Sequence, residues 1–199
     1  MFTGIITATG RLVDIVEQGG DLALAIEAST IDPARMGLGD SICVQGVCLT
    51  VTRRGGAVFH ADVSRETLSK TTLGSQVRGA RLNLEPSLRA GDALGGHMVS
   101  GHVDAVGRLT AQHQDGRSWR MEFELPQALT RYVAPKGSIC IDGVSLTVNQ
   151  MDGRRFDVNI IPHTREATTL GELAIGGGVN IEIDLIARYI ERLMLKTQE

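Results

Sequence analysis

Cys48 and Ser145 combine reactive side chains with a telling position, because each fills the same place in a stretch that the chain writes twice. The two copies are Gly39–Thr52 (GDSICVQGVCLTVT) and Gly137–Asn149 (GSICIDGVSLTVN), and they share S-I-C-[VI]-x-G-V-[CS]-L-T-V at a spacing of 97 residues. A thiol is a nucleophile when ionised and a small apolar filler when buried, whereas a hydroxyl donates and accepts hydrogen bonds. Where two copies agree, scaffold is the simpler explanation; where they differ in polar type, function is. On that criterion Cys43 and Cys140, flanked by isoleucine or valine in both copies, are core residues. Cys48 follows the turn of its copy, and a small buried core cysteine and a side chain facing a mouth both remain open for it.

Other polar differences between the copies mark further candidates. His102 stands where the first copy has Ile5. A buried imidazole must find hydrogen-bond partners, and an accessible one trades protons near neutral pH. A satisfied core histidine and a general acid–base therefore both remain open. His97 lies near enough to support the same loop, while His60 and His113 look like surface residues. Asp62 corresponds to Asn159 and Glu66 to His163, in single-turn segments whose Ser64, Thr67 and Thr164 offer hydroxyls and free N–H groups to a polyol or heterocycle. Helix capping is the competing role, strongest for Thr67 and Thr164 because both copies keep them. Asp184 corresponds to Ser87 and precedes the terminal helix, which makes an N-cap its simplest role. Lys136 corresponds to Gly39 and places a cation beside the doubled stretch, with a solvated surface lysine as the plain alternative.

The elements that must position these residues follow from the same repeat. At the offset of 97, 26 of the first 85 positions are identical, against about 5 or 6 by chance. The period is too long for a solenoid unit, so each copy is expected to be a domain: residues 1–90, then 91–184, then a terminal helix and tail at 185–199. Alternating apolar patterns predict strands near 3–8, 10–17, 21–28, 40–45, 47–53 and 57–63, with a further short one at 82–85. Turns fall at Gly19-Gly20, Gly37–Asp40, Gln45-Gly46 and Gly55-Gly56. Many short strands without βαβ alternation predict an all-β fold of antiparallel barrels or sandwiches. Short helices are expected at Asp32–Met36 and Pro126–Val133, single turns at Ser64–Ser69 and His163–Ala167, and a joint between copies at Arg89–Leu94. Leu185–Lys196 is the one long helix, with Leu185, Ile186, Tyr189, Ile190, Leu193 and Met194 on one stripe. An oligomer contact is preferred to a lid for it, because a barrel already closes its own core.

Composition narrows the function classes. The net charge of −3 with scattered basic residues offers no footprint for nucleic acid or an anionic membrane. Aromatic content of 4% discourages RNA-stacking platforms and carbohydrate clefts. MFTGIITATG lacks the basic region and apolar run of a signal peptide, and no segment has the apolar length of a membrane span. Three cysteines point to reduced thiols in a cytoplasmic setting. The absence of C-x-x-C and H-x-x-x-H argues against a built-in zinc site.

MFTGII, GVCLTV, ADVSRET, GGHMVSGHVD, KGSICIDGVSLTV, IIPHT and NIEID, in this order over residues 1–190, resemble riboflavin synthase of the α-chain type. The resemblance implies two tandem six-stranded antiparallel Greek-key barrels followed by a helix through which three chains associate. It implies a transferase of riboflavin biosynthesis: two molecules of 6,7-dimethyl-8-ribityllumazine dismutate, one giving a four-carbon unit to the other, to yield riboflavin and 5-amino-6-ribitylaminouracil. No metal or organic cofactor is required. Whether the chain associates with lumazine synthase, which makes the substrate, is left open.

By the same resemblance Cys48 and His102 are the favoured polar actors, with Ser145, Thr147 and Asp184 around the second ring. Ligand contacts in the first barrel are expected from Gly4, Ile5 and Ile6, from Cys48, Leu49 and Thr50, and from Asp62, Val63, Ser64, Arg65, Glu66 and Thr67. The second barrel is expected to offer Gly101, His102 and Val103, then Lys136, then Ser145, Leu146 and Thr147, and finally Ile160, Ile161, Pro162, His163 and Thr164. The productive site would form between the first barrel of one chain and the second barrel of a neighbour. A lumazine-carrying binding protein on the same barrels is the competing class, disfavoured by the retained Cys48, His102 and Asp184. A flavin-reductase-like barrel would need a nicotinamide-binding α/β domain, and no G-x-G-x-x-G is present.

Overall fold

The doubled stretch folds as two identical hairpins. Gln45-Gly46 and Asp142-Gly143 carry positive φ at both residues (51° and 82°; 49° and 84°), the backbone of a two-residue turn matched to strand twist. A computed structural model describes residues 1–32 and 35–195. Around the first hairpin lie β1 (Ala8–Gln18), β2 (Asp21–Glu27), β3 (Ser41–Val44), β4 (Val47–Gly55), β5 (Val58–Val63) and β6 (Arg81–Pro86). They close into a barrel in the order β1-β2-β5-β4-β3-β6. The second copy repeats this with β7 (Ala105–Asp115), β8 (Ser118–Glu124), β9 (Ser138–Ile141), β10 (Val144–Asp152), β11 (Arg155–Ile160) and β12 (Gly178–Ile183). Every pairing between these strands is antiparallel; β2 lies between β1 and β5, and β6 returns to close the barrel between β1 and β3 in the Greek-key manner.

Even the irregularities are copied. Register shifts at Leu12/Asp14 and Val51/Arg53 recur 97 residues later at Leu109/Ala111 and Val148/Gln150. Bulges bend and twist a strand, so repeating them gives both barrels the same curvature. Each barrel has its own core, centred on Leu12, Leu24, Ile26, Phe59 and Leu84 in the first and on Leu109, Phe123, Phe156 and Ile181 in the second.

The short helices sit where the repeat puts them: α1 (Arg65–Lys70), α2 (Pro162–Ala167) and a 3₁₀ segment at Gln127–Tyr132. The expected Asp32–Met36 helix falls partly outside the described residues. The strand expected at 3–8 is corrected: β1 begins at Ala8, and residues 3–7 form an arm held by side chains. The terminal helix α3 (Leu185–Leu195) is tied to the second barrel by Arg188–Asp104 (2.6 Å) and Arg131–Glu191 (2.6 Å). Its apolar stripe faces away from that barrel, with Tyr189 61% and Met194 67% exposed.

The barrels meet along a buried polar seam in which each copy serves the other. Asn83 Nδ2 donates to the Asp142 carbonyl and Asn180 Nδ2 to the Gln45 carbonyl. Asn83 Oδ1 accepts from Thr169 N, and Asn180 Oδ1 from Thr72 N. The turns touch so closely that a Cβ on Gly46 would lie 2.8 Å from Gly143 N. One letter of the seam is unequal: Gln45 is matched by Asp142, a fully buried acid whose carboxyl accepts from Asn180 N at 2.7 Å.

Burial pushes the Asp142 carboxyl up to about 7, despite the opposing pull of the Asn180 N–H and the Gln45 amide. The folded state therefore holds a proton that the unfolded chain releases near pH 4. Stability falls as pH rises between these values, by on the order of 4 kcal/mol in all. Chemical denaturation of Asp142→Asn and the parent from pH 4 to 8 should show the parent losing stability relative to the variant up to about pH 7 and levelling above it. Parallel stability curves would remove Asp142 as the cause.

Candidate active site

Each barrel's hairpin wall, the face that carries Cys48 or Ser145, is completed by the lead-in arm of the other barrel. Glu85 on β6 is buried, and its carboxylate accepts from Thr3 N (2.7 Å), Thr3 Oγ1 (2.7 Å) and Gly4 N (3.0 Å). Burial raises its carboxyl, and these three donors oppose the rise. The Glu182 carboxylate on β12 likewise accepts from Ser100 N (2.7 Å), Ser100 Oγ (2.6 Å), Gly101 N (2.8 Å) and His102 N (3.0 Å). Thus held, each arm reaches across. The Gly4 carbonyl accepts from Ser145 N at 2.8 Å, and the Gly101 carbonyl accepts from Cys48 N at 2.8 Å. Phe2 and Val99, fully buried, pair in a short antiparallel bridge where the arms pass, packed on Cys43 and Cys140. Burial raises both of those thiols far above the ordinary range, in keeping with a core role.

This crossing sets the lead-in segments apart from the barrels with which they were expected to act. Gly4 and Ile6 lie against the second barrel, where Ile6 packs on its core, and Gly101 and Val103 lie against the first, where Val103 packs on its core; Ile5 instead lines a cavity with Thr7, Ile31 and Arg35 of the first copy. The cause is the pair of buried carboxylates. They take the arm N–H groups out of any ladder, and the positive φ of Gly4 (76°) and Gly101 (77°) turns each arm outward.

On the first wall Cys48 is half-buried on β4, pairing with Cys43, while Leu49 is buried and Thr50 exposed one strand position further on. The Cys48 thiol has no hydrogen-bond partner among the described residues. Val63 is buried in the barrel core, and Asp62, Ser64, Arg65 and Glu66 are exposed beside it. Ser64, not Thr67, caps α1: its Oγ accepts from Thr67 N at 3.3 Å, and the Thr67 hydroxyl sits 3.1 Å from it. His102 is exposed, so it is not a core histidine; only its backbone N–H is held.

On the second wall Ser145 and Leu146 are half-buried and Thr147 exposed on β10. Ile160 is buried at the end of β11; Ile161, Pro162 and His163 are exposed at the start of α2, and Thr164 is half-buried and caps nothing. Asp184 takes its plain role as a cap of α3, accepting from Ile186 N at 2.9 Å. Lys136 is exposed with φ of 68°, where Gly39 has 82°. A left-handed lysine costs about 1–2 kcal/mol, a strain of the kind that gathers at functional sites.

His97 is the residue that spacing alone undervalued. Its Nδ1 lies 2.6 Å from Ser145 Oγ, and its backbone N–H donates to the Thr3 carbonyl at 3.1 Å. Gly96 makes the approach possible, since a Cβ there would fall 2.2 Å from the Thr3 carbonyl oxygen. Burial lowers the His97 imidazole below its ordinary value, while Asp184 and Glu182 pull upward. Among the described residues no group of three or more His, Cys, Asp or Glu is arranged to hold a metal.

A family model described as the lumazine binding domain matches the chain twice, over residues 3–87 and 100–184. Riboflavin synthase of Photobacterium phosphoreum is 43% identical over 195 residues, spanning 98% of this chain and 89% of that protein. Riboflavin synthase of Mycobacterium bovis is also 43% identical, over 198 residues and 98% of both.

The chain belongs to the riboflavin synthase family.

Two solved structures share the fold: LumP complexed with riboflavin (TM-score 0.83, 24% identity, 92% of this chain and 99% of that one) and LumP complexed with 6,7-dimethyl-8-(1'-D-ribityl) lumazine (TM-score 0.81, 22% identity, the same coverage). Family membership explains why two walls exist; the crossing arms explain how they are made.

A methyl on Gly101 would lie 2.6 Å from Cys48 Cβ, and one on Gly4 would lie 2.6 Å from Ser145 Cβ, each at a positive φ. Gly101→Ala and Gly4→Ala should each cost at least about 2 kcal/mol of stability and weaken ligand binding. Thermal unfolding and ligand titration of both variants check this; wild-type values in either variant would show that the arm does not press on the wall.

Proposed function

We infer that this chain is a riboflavin synthase, a transferase that dismutates two molecules of 6,7-dimethyl-8-ribityllumazine into riboflavin and 5-amino-6-ribitylaminouracil. The observation that carries the reading is a pair of equivalent walls made unequal at Cys48 and Ser145, in a chain 43% identical to synthases along its length. The reaction needs two copies of one molecule in unlike roles. A duplicated wall binds both, and its unlike residues distinguish donor from acceptor. Holding two rings face to face can supply up to about 7–11 kcal/mol of the barrier. The ring's 7-methyl group is acidic because the heterocycle delocalises the resulting anion, so the protein's task is to align rings and move protons.

Cys48 and His102 act at the first ring; Ser145, Thr147 and Lys136 act at the second, with Asp184 contributing negative charge nearby. The ligand segments are those named above, regrouped so that the Gly101–Val103 arm serves the first ring and the Gly4–Ile6 arm the second. Thr50, Thr147 and His102 are exposed on the single chain, which suits walls closed by a neighbouring chain. The exposed stripe of α3, Ile186, Tyr189, Ile190, Leu193 and Met194, supports association as a homotrimer with the productive site between the first barrel of one chain and the second of another.

The purified chain should form riboflavin, seen by its absorbance near 450 nm, from the lumazine alone. Tight binding of the lumazine without product would favour a carrier. Cys48→Ala should lower kcat by more than ~10-fold with less than ~3-fold change in ligand affinity; equal losses would reduce Cys48 to packing. Ile190→Asp, which introduces a charge on the stripe, should lower the mass found by sedimentation and the activity together. An unchanged mass would move the contact elsewhere.

A further inference from the structure

The pairing of His97 with Ser145 has no equivalent at Cys48, whose thiol lacks a hydrogen-bond partner among the described residues. His97 Nδ1 sits 2.6 Å from Ser145 Oγ, and its other ring nitrogen is buried and unpartnered. An imidazolium needs acceptors for two N–H groups, so an unpartnered Nε2 favours a neutral ring at rest. The Ser145 hydroxyl lies on the ring wall, with its backbone fixed by the Gly4 carbonyl. The imidazole and the hydroxyl that the wall carries are within hydrogen-bond distance, so a proton can pass between them.

We propose that His97 is the terminal proton acceptor of the second ring site, working through Ser145 as a relay. When a lumazine lies on that wall with its 7-methyl group against Ser145 Oγ, a methyl C–H bond breaks and its electron pair delocalises into the heterocycle. The methyl proton passes to Ser145 Oγ as the hydroxyl proton passes to His97 Nδ1. Serine ends as a hydroxyl, histidine as an imidazolium and the ligand as an anion, so atoms and charge balance without a co-reactant. The proton returns from Nδ1 by the same path to the product ring.

The surroundings suit a base that is neutral at rest and tolerated when charged. Glu182 from β12 and Asp184 from the start of α3 are the charged groups that act on the imidazole, and both favour its protonated form; burial opposes them. Ser145 from β10 is the ring's hydrogen-bond partner, and the His97 backbone N–H, donating to the Thr3 carbonyl of the arm, holds the residue in place. His97 reaches the ligand only through Ser145, so it is a positioning residue rather than a catalytic one.

This inference rests on the riboflavin-forming reading, and the test separates the two. Parent, His97→Gln, Ser145→Ala and the double variant are assayed for riboflavin formation across pH 5–9, for lumazine affinity, and for enzyme-promoted exchange of the 7-methyl protons in D₂O by proton NMR. His113→Gln, an exposed histidine on β7, is the control. His97→Gln should lower kcat and methyl exchange by about 10²-fold, with affinity changed less than ~3-fold, and should abolish the acid limb of the parent's pH profile. The double variant should be no slower than the slower single one. An intact acid limb in His97→Gln, additive losses, or equal losses of kcat and affinity would overturn the relay. If His97→Gln fails to fold, Ser145→Ala decides alone: it must lose the same acid limb. Absence of riboflavin from the parent would instead overturn the reading on which the relay rests.

Discussion

A carboxylate taken out of water must be given donors, and this protein is arranged around two that are. Glu85 and Glu182 are each 3% exposed, and each is supplied by the N–H and hydroxyl groups of a lead-in arm rather than by a cation. Removing those donors would leave a charge buried and unpaired, a loss of several kcal/mol. The arms are therefore fixed in place, and the glycines that follow carry their carbonyls to Ser145 and Cys48 on the opposite barrel. Site geometry is a consequence of satisfying two buried acids.

The same economy governs the seam between barrels. Asn83 and Asn180 span it in both directions, each donating to the other copy's turn and accepting from the other copy's threonine. Buried polar networks of this kind specify one arrangement, because any slip leaves several groups unsatisfied at once. Two barrels that could pack in many ways through apolar contact are held in a single pseudo-symmetric pose. Exact symmetry would give two equal sites; inequality enters at Cys48 against Ser145, at Lys136 against Gly39, and at His97 beside Ser145 alone.

Much of this was legible from the chain. A 97-residue offset and alternating apolar strands predict two like antiparallel barrels or sandwiches, the family resemblance narrows these to barrels, and polar-glycine pairs predict the two hairpin turns. Cys43 and Cys140 are buried, as their β-branched apolar neighbours implied. The crossing of the arms was not legible, because residues 3–8 alternate like a strand and only the hydrogen-bond demand of Glu85 and Glu182 reveals an arm. His97 escaped for a related reason: its partner lies 48 residues away, and the small Gly95-Gly96 pair before it was the one sign of a close approach. His102 shows the converse, since substitution for isoleucine suggested a choice between core and catalysis, and exposure removes the core alternative. At Asp184 the cap that sequence expected is present.

The central claim is that each ring wall is shared between a barrel and the other barrel's arm. A crystal structure of the chain with bound 6,7-dimethyl-8-ribityllumazine tests it most directly. The ring at Cys48 should be in van der Waals contact with His102 and Val103, and the ring at Ser145 with Ile6. A ring at Cys48 resting on Ile6, or one that touches neither arm, would contradict it.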